Sequence, residues 1–152
     1  MATSVSGLAY VAVVDDDEGA CRALSRLLRA EGIQPIGYPS AEAFLADTKA
    51  PLFDCLVLDV QLSGMSGLEL DRRLHASGSS VPVIYVTAHD EPETRALAQA
   101  AGCAAYFGKT APGKDVIEAI RRAAKLREGE SPCAARPSST GPEIVTREKR
   151  KP

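Results

Sequence analysis

Polar side chains that could take part in chemistry follow four strongly apolar stretches of this sequence. They are Asp15, Asp16 and Asp17 after LAYVAVV, Asp59 after FDCLVL, Thr87 after VPVIYV and Lys109 after AAYFG. In an open parallel α/β sheet, ligand sites form beyond the carboxyl ends of the strands, where the helices leave in opposite directions. We therefore expect these carboxylates, the hydroxyl and the ammonium to surround one crevice.

The chemistry of such a crevice follows from the carboxylates of Asp15, Asp16 and Asp59. Three clustered carboxylates repel one another, so they need a proton, a lysine or a divalent cation to coexist. Oxygen ligands without histidine or cysteine favour magnesium over zinc, and magnesium usually brings a phosphate with it. A carboxylate can also act as a nucleophile and form an aspartyl-phosphate. In that case, the Lys109 ammonium would offset charge on the phosphoryl group, and the Thr87 hydroxyl would donate a hydrogen bond to it.

The elements that must position these residues alternate between strand and helix five times, which predicts a parallel sheet with helices on both faces. The predicted strands are 8–15, 33–38, 53–59, 81–87 and 104–108, and the predicted helices are 18–31, a helix after Ser40, 66–75, one from about 91 to Gly102, and 112–127. Pro35 cannot donate to a sheet, so the second strand should lie at an edge. Asp17 is better explained as a helix cap than as a member of the site, and Ser66 to Glu69 have the form of a capping box.

Composition bounds the kind of protein. A chain of 152 residues with 45% hydrophobic and 25% charged residues is typical of one soluble globular domain. The net charge of −2 gives no electrostatic reason to expect binding to nucleic acid or to an anionic membrane. No apolar run is long enough to span a bilayer, and the N-terminus lacks the features of a secretory signal. The four cysteines lack metal-ligand spacing, which favours buried thiols in a reducing cytoplasm.

The ends of the chain differ from its middle. Residues 129–152 are rich in proline and contain only Ile144 and Val145 as large aliphatic residues. Such a segment buries too little surface to offset the entropy of ordering, which predicts a disordered tail or a linker. We therefore divide the chain into an N-terminal extension (1–7), a folded domain (8–128) and a tail (129–152).

Taken together, the motifs VAVVDDDEG, LVLDVQLSGMSG, YVTAH and AYFGKT resemble, in order and spacing, the receiver domain of two-component response regulators. The resemblance covers about residues 8–127 and is closest to receivers that precede helix-turn-helix transcription modules. It implies a single doubly wound, flavodoxin-like α/β fold, with five helices around a five-stranded parallel sheet in the order 2-1-3-4-5. That order places the strand containing Pro35 at an edge, as the sequence independently predicts.

The resemblance also implies a role for each polar residue. Asp59 would be the phosphoacceptor; Asp15, Asp16, Asp59 and the main-chain carbonyl of Gln61 would hold Mg²⁺; Thr87 and Tyr106 would be the switch residues; and Lys109 would bind the phosphoryl group. Gln61 and His89 stand at variable positions that tune the lifetime of the phosphoryl group. Ser63 and Thr110 stand where the family usually has proline. In the family, a cis bond precedes that second proline. We expect a trans Lys109–Thr110 bond and a less firmly held Lys109 ammonium.

The function implied is a phosphorylation-activated switch, not a turnover enzyme. A sensor histidine kinase or a phosphotransfer protein would supply the phosphoryl group. The face formed by the fourth helix, fifth strand and fifth helix would then bind a downstream protein or a second copy of the chain. Two alternatives stay open: a receiver that binds partners without phosphorylation, and the N-terminal part of a DNA-binding regulator. A phosphohydrolase would need a general acid and a specificity element that the short loops do not offer.

Overall fold

The computed structural model describes residues 9–88 and 90–130. Its strands are β1 (Tyr10–Val14), β2 (Gln34–Tyr38), β3 (Cys55–Leu58), β4 (Val83–Thr87) and β5 (Ala105–Gly108). Its helices are α1 (Glu18–Ala30), α2 (Ala41–Ala46), α3 (Gly67–Ala76), α4 (Pro92–Ala100) and α5 (Gly113–Glu130). The predicted alternation of five strands and five helices is therefore confirmed. No helix in the described ranges is both long and apolar enough to cross a bilayer.

The five strands form one parallel sheet in the order β2-β1-β3-β4-β5. Pro35 lies in β2, at the edge of the sheet, as its missing N–H requires. Val14 of β1 is in register with Leu58 of β3, which is in register with Tyr85 of β4. The residues that follow β1 and β3, Asp15 and Asp59, therefore emerge side by side at the carboxyl edge of the sheet.

The central strand β3 is buried on both faces, and its side chains divide between two apolar clusters. Leu56 and Leu58 belong to the cluster under α2, α3 and α4, whereas Cys55 and Val57 belong to the one under α1 and α5. This division follows from the two-residue period of a strand. An almost unbroken apolar run is what a strand covered by helices on both faces requires.

Local side chains explain where three of the helices begin. The Asp17 carboxylate accepts a hydrogen bond from Ala20 N (3.2 Å), the Ser40 hydroxyl from Ala43 N (3.0 Å), and the Ser66 hydroxyl from Glu69 N (3.1 Å). These bonds satisfy N–H groups that have no partner within the helix. The Glu69 carboxylate, however, pairs with Arg72 and Arg73 on the helix surface, so only half of the predicted capping box is formed.

The C-terminal helix extends further than the sequence predicts. It continues to Glu130, past the predicted end at residue 127 and the predicted domain boundary at 128. Gly129 lowers helix stability by only about 1 kcal/mol relative to alanine, and the next proline is Pro132. Ala123 of this helix is buried, and Ala124 is half-buried. Residues 1–8, His89 and residues 131–152 lie outside the described residues.

Candidate functional site

Three charged side chains meet at the carboxyl edge of the sheet. Lys109 Nζ lies 2.9 Å from Asp15 Oδ2 and 3.1 Å from Asp59 Oδ2. The Asp15 carboxylate follows β1 and the Asp59 carboxylate follows β3, whereas the ammonium reaches them from the residue after β5. The predicted crevice is therefore formed, with one cation held between two carboxylates.

Asp16 completes a group of three acids. One oxygen from each of Asp15, Asp16 and Asp59 lies within 4.8 Å of the others. Asp15 and Asp59 are 8% and 5% exposed, whereas Asp16 is exposed to solvent. Two buried oxygen ligands and one accessible oxygen ligand suit a hard divalent cation that keeps part of its water shell.

Burial and charge act in opposite directions on the ionisable groups of the site. Burial raises the pKa of Asp15, and the hydrogen bonds from Asp17 N and Lys109 only partly oppose this rise. Burial alone would lower the pKa of Lys109, but hydrogen bonds and charge attraction from Asp15 and Asp59 outweigh it and raise that pKa. Lys109 therefore stays cationic at neutral pH. Three carboxylates facing one ammonium still leave an excess of negative charge.

The loop between β3 and α3 lies close against the site. Gln61 N donates to Asp59 Oδ1 over 3.1 Å, and Ser63 donates to Asp16 Oδ2 through both its main-chain N and its hydroxyl, each over 3.1 Å. At the far end of the loop, a Cβ atom on Gly67 would overlap the main-chain carbonyl oxygen of Asp59. Glycine therefore lets α3 begin directly against the backbone of the predicted phosphoacceptor.

Glu42 is a supporting residue that sequence reasoning missed. Its carboxylate on α2 accepts a hydrogen bond from Met65 N over 2.8 Å and thereby anchors the loop after Asp59. This hydrogen bond lowers the pKa of Glu42. No local signal connects Glu42 with Met65, because 22 intervening residues and a change of element separate them. Only the packing of α2 beside the loop brings them together.

The predicted switch residues lie beyond the phosphoacceptor on neighbouring strands. Thr87 is fully buried at the end of β4, and its carbonyl accepts a hydrogen bond from Lys109 N over 2.9 Å. Tyr106 lies on β5, where burial raises its pKa. Its hydroxyl oxygen is buried and has no hydrogen-bond partner among the described residues. Thr87 thus adjoins the site through the Lys109 backbone, whereas Tyr106 lies on the next strand, in register with Tyr85 of β4.

A second residue missed by the sequence analysis, Arg95, covers Tyr106. The Arg95 guanidinium carbon lies 4.6 Å from the centre of the Tyr106 ring, within the range of a cation–π contact. The same guanidinium pairs with Asp90 at 2.9 Å, at the start of α4. Arg95 therefore links the loop after β4 to the aromatic residue of β5.

The expectations for Lys109 had mixed outcomes. The described residues contain no cis peptide bond, so the Lys109–Thr110 bond is trans, as predicted. The expectation of a loosely held ammonium is wrong, because Lys109 Nζ contacts both Asp15 and Asp59. The flexible lysine side chain reaches the carboxylates while its own backbone is fixed to Thr87. His89, the second lifetime-tuning candidate, lies outside the described residues.

Comparison with known sequences gives consistent matches. A family model described as the response regulator receiver domain matches residues 11–121. The response regulator protein TmoT of Ectopseudomonas mendocina is 38% identical over 114 residues, which cover 75% of this chain and 52% of that protein. This chain spans about half the length of the curated relatives that it matches first.

Comparison with solved structures gives the same fold. A response regulator receiver protein from Burkholderia phymatum is 41% identical, with a TM-score of 0.68 over 77% of this chain and 95% of that one. A CheY-like receiver domain protein from Methanospirillum hungatei JF-1 has a TM-score of 0.74 at 26% identity, over 80% of this chain and 98% of that one. Both solved chains are covered almost completely, so the matched part is a whole structural unit.

Proposed function

This chain belongs to the response regulator receiver domain family, and on that premise we propose that it is a phosphorylation-activated switch whose phosphoacceptor is Asp59. The observation that carries the proposal is the position of Lys109 Nζ, 3.1 Å from the Asp59 carboxylate and 2.9 Å from that of Asp15. A buried carboxylate beside a fixed cation is suited to attack a phosphoryl group, because the cation offsets charge on the phosphoryl oxygens.

The residues of the site fit Mg²⁺. The side chains of Asp15, Asp16 and Asp59 and the main-chain carbonyl of Gln61 would hold the ion, with Asp16 as a direct ligand and Asp15 acting mainly through water. All are oxygen donors, and the three carboxylates offer atoms within 4.8 Å of one another. When bound, Mg²⁺ would supply neutralisation of the charge that develops on the phosphoryl oxygens.

In the proposed transfer, a carboxylate oxygen of Asp59 attacks the phosphorus of a phosphohistidine on a sensor histidine kinase or a phosphotransfer protein. The new O–P bond forms as the P–N bond breaks, and the imidazole leaves with the electron pair of that bond. Lys109 enters the reaction as a cation, because its two carboxylate partners raise its pKa. The ammonium can then follow the charge from the carboxylate to the phosphoryl group.

The output of the switch would be a change in a partner-binding face. We propose that the Thr87 hydroxyl turns towards the phosphoryl group and that Tyr106 follows into the space it leaves. Tyr106 lies on β5 and packs against the apolar cluster under α4, with Arg95 of α4 over its ring. A shift of this side chain would bias the α4–β5–α5 face towards a form that binds a downstream protein or a second copy of the chain.

A second candidate concerns the longer protein to which such a receiver can belong. The chain spans about half of TmoT, and the transcriptional regulatory protein FixJ of Azorhizobium caulinodans matches with 53% of its length. These proportions support the role of an N-terminal receiver in a DNA-binding regulator. The chain itself would bind neither nucleic acid nor membrane, and the exchange would take place in the cytoplasm, where thiols stay reduced.

The test is incubation with a small-molecule phosphodonor and Mg²⁺, followed by intact-mass measurement. We expect the mass of one phosphoryl group to be added to the wild-type chain, none to Asp59→Ala, and strongly reduced labelling in Asp16→Ala. Asp54→Ala is the matched control. Asp54 precedes β3 at its amino end, whereas Asp59 follows β3 at its carboxyl end, so this variant should be labelled like the wild-type chain. Labelling of Asp59→Ala, or equal labelling in a chelator, would reject the assignment. An unlabelled wild-type chain would favour a receiver that works without phosphorylation.

A further inference from the structure

Ser63 makes an unusual pair of contacts with the exposed acid of the site. Its main-chain N–H and its hydroxyl both donate to Asp16 Oδ2, each over 3.1 Å. Asp15 and Asp59 are held by burial and by Lys109, whereas Asp16 is exposed. The contacts from Ser63 are therefore what fixes the orientation of the Asp16 carboxylate among the described residues.

The residue type at position 63 decides whether these two contacts can form. Proline has neither a main-chain N–H nor a side-chain donor, so it can form neither contact. The loop that carries Ser63 is anchored on its C-terminal side by the Glu42–Met65 hydrogen bond and by the bond from Gly67 N to Val60 O over 2.9 Å. Ser63 thus presents its two donors from a fixed backbone.

We propose that Ser63 is a positioning residue that orients Asp16 for a divalent cation and thereby strengthens Mg²⁺ binding in this chain. The inference rests on the proposed function only in that the same acidic cluster is the metal site. Two donors hold one oxygen of Asp16 and leave its other oxygen for the ion. An exposed carboxylate without these donors would lose more rotational freedom on binding, and this loss lowers affinity.

The test measures Mg²⁺ affinity directly, by titration calorimetry of the full chain without a phosphodonor. Ser63→Ala keeps the main-chain donor and removes the hydroxyl, so we expect binding about threefold weaker, whereas Ser63→Pro removes both donors and should weaken binding by about tenfold. Ser63→Thr keeps a hydroxyl at this position and should bind Mg²⁺ like the wild-type chain. Ser77→Ala is the matched control, because the Ser77 hydroxyl bonds to Leu74 O at the other end of α3.

The outcomes separate this inference from the proposed function. Equal affinity of Ser63→Ala and wild type would overturn the role of Ser63, and tighter binding would show that Ser63 competes with the ion. Failure of Ser63→Thr to recover affinity would also count against it. No phosphoryl group is present in this experiment. A stepwise fall in Mg²⁺ affinity from wild type to Ser63→Ala to Ser63→Pro would therefore support the role of Ser63 even if Asp59 were never labelled. Thermal unfolding of each variant shows whether the fold is retained.

Discussion

Lys109 combines a structural and a chemical role, and the two can be separated by experiment. Its ammonium pairs with Asp15 and Asp59, which are only 8% and 5% exposed. In Lys109→Ala, both carboxylates would stay buried without that cation. We expect the free energy of unfolding to fall by about 2 kcal/mol without Mg²⁺ and to recover in part when Mg²⁺ is added. Urea denaturation with and without Mg²⁺ measures this. Lys125→Ala, on the exposed face of α5, is the control and should change stability little.

The pH dependence of this stabilisation follows from the raised pKa of Lys109. A group whose pKa is higher in the folded state stabilises the fold fully below its unfolded pKa, here near 10.5, and loses that effect as the pH rises through its folded value. On the alkaline side, the difference in stability between wild type and Lys109→Ala should therefore hold up to about pH 10.5 and shrink above it as Lys109 deprotonates. Urea denaturation at a series of alkaline pH values tests the sign. A difference that already vanished near neutral pH would contradict the assignment of the ion pairs.

Among the secondary-structure elements, a buried polar pair joins α3 to β4. Tyr85 donates to Asp71 Oδ2 over 2.8 Å, and the two residues are 0% and 1% exposed. Tyr85→Phe would leave a buried carboxylate oxygen without its donor, so we expect a loss of about 2 kcal/mol in the free energy of unfolding. The double variant Tyr85→Phe/Asp71→Leu should lose less than Tyr85→Phe alone, because no carboxylate then stays buried. Additive losses in denaturation experiments would show that the pair is not coupled.

The contact between α4 and β5 gives a separate prediction for Arg95. Arg95→Ala removes both the ion pair with Asp90 and the cation–π contact with Tyr106. We expect amide hydrogen exchange at the start of α4 to become several-fold faster, because the helix then has one fewer connection to β5. Arg122→Ala removes an ion pair within α5 and serves as the control. Unchanged amide exchange in α4 would mean that the contacts of Arg95 do not stabilise the packing of α4 against β5.

Features of the helices and strands that depend on one residue or its next turn could be predicted from the sequence, whereas contacts between distant segments could not. The edge position of β2 followed from Pro35, and the start of α1 followed from Asp17, because each effect acts within the residue or its next turn. The contacts of Glu42 with Met65 and of Ser63 with Asp16 could not be predicted in this way. They depend on how loops and helices pack across the edge of the sheet, which no periodic pattern encodes. The same limit explains the wrong expectation for the Lys109 ammonium, whose position is set by two distant carboxylates.

Considering the whole chain, the sequence after α5 should not contribute to the stability of the receiver fold. Residues 131–152 lack a periodic apolar face. Because α5 continues to Glu130, the cut belongs after that residue and not at the predicted boundary of 128. We expect removal of residues 131–152 to leave the thermal midpoint within about two degrees of the full chain and to leave phosphorylation unchanged. A drop of several degrees would show that these residues stabilise the domain.

The central claim is that one carboxylate of the acidic cluster, Asp59, becomes covalently phosphorylated in a Mg²⁺-dependent reaction. The most direct measurement treats the phosphorylated chain with borohydride, which reduces an acyl phosphate to a stable alcohol, and then locates the altered residue by peptide mass spectrometry. We predict modification at Asp59 alone, in samples that received both phosphodonor and Mg²⁺. Modification at Asp15, Asp16 or another carboxylate, no reducible residue in a phosphorylated chain, or equal modification in the presence of a chelator would contradict the account.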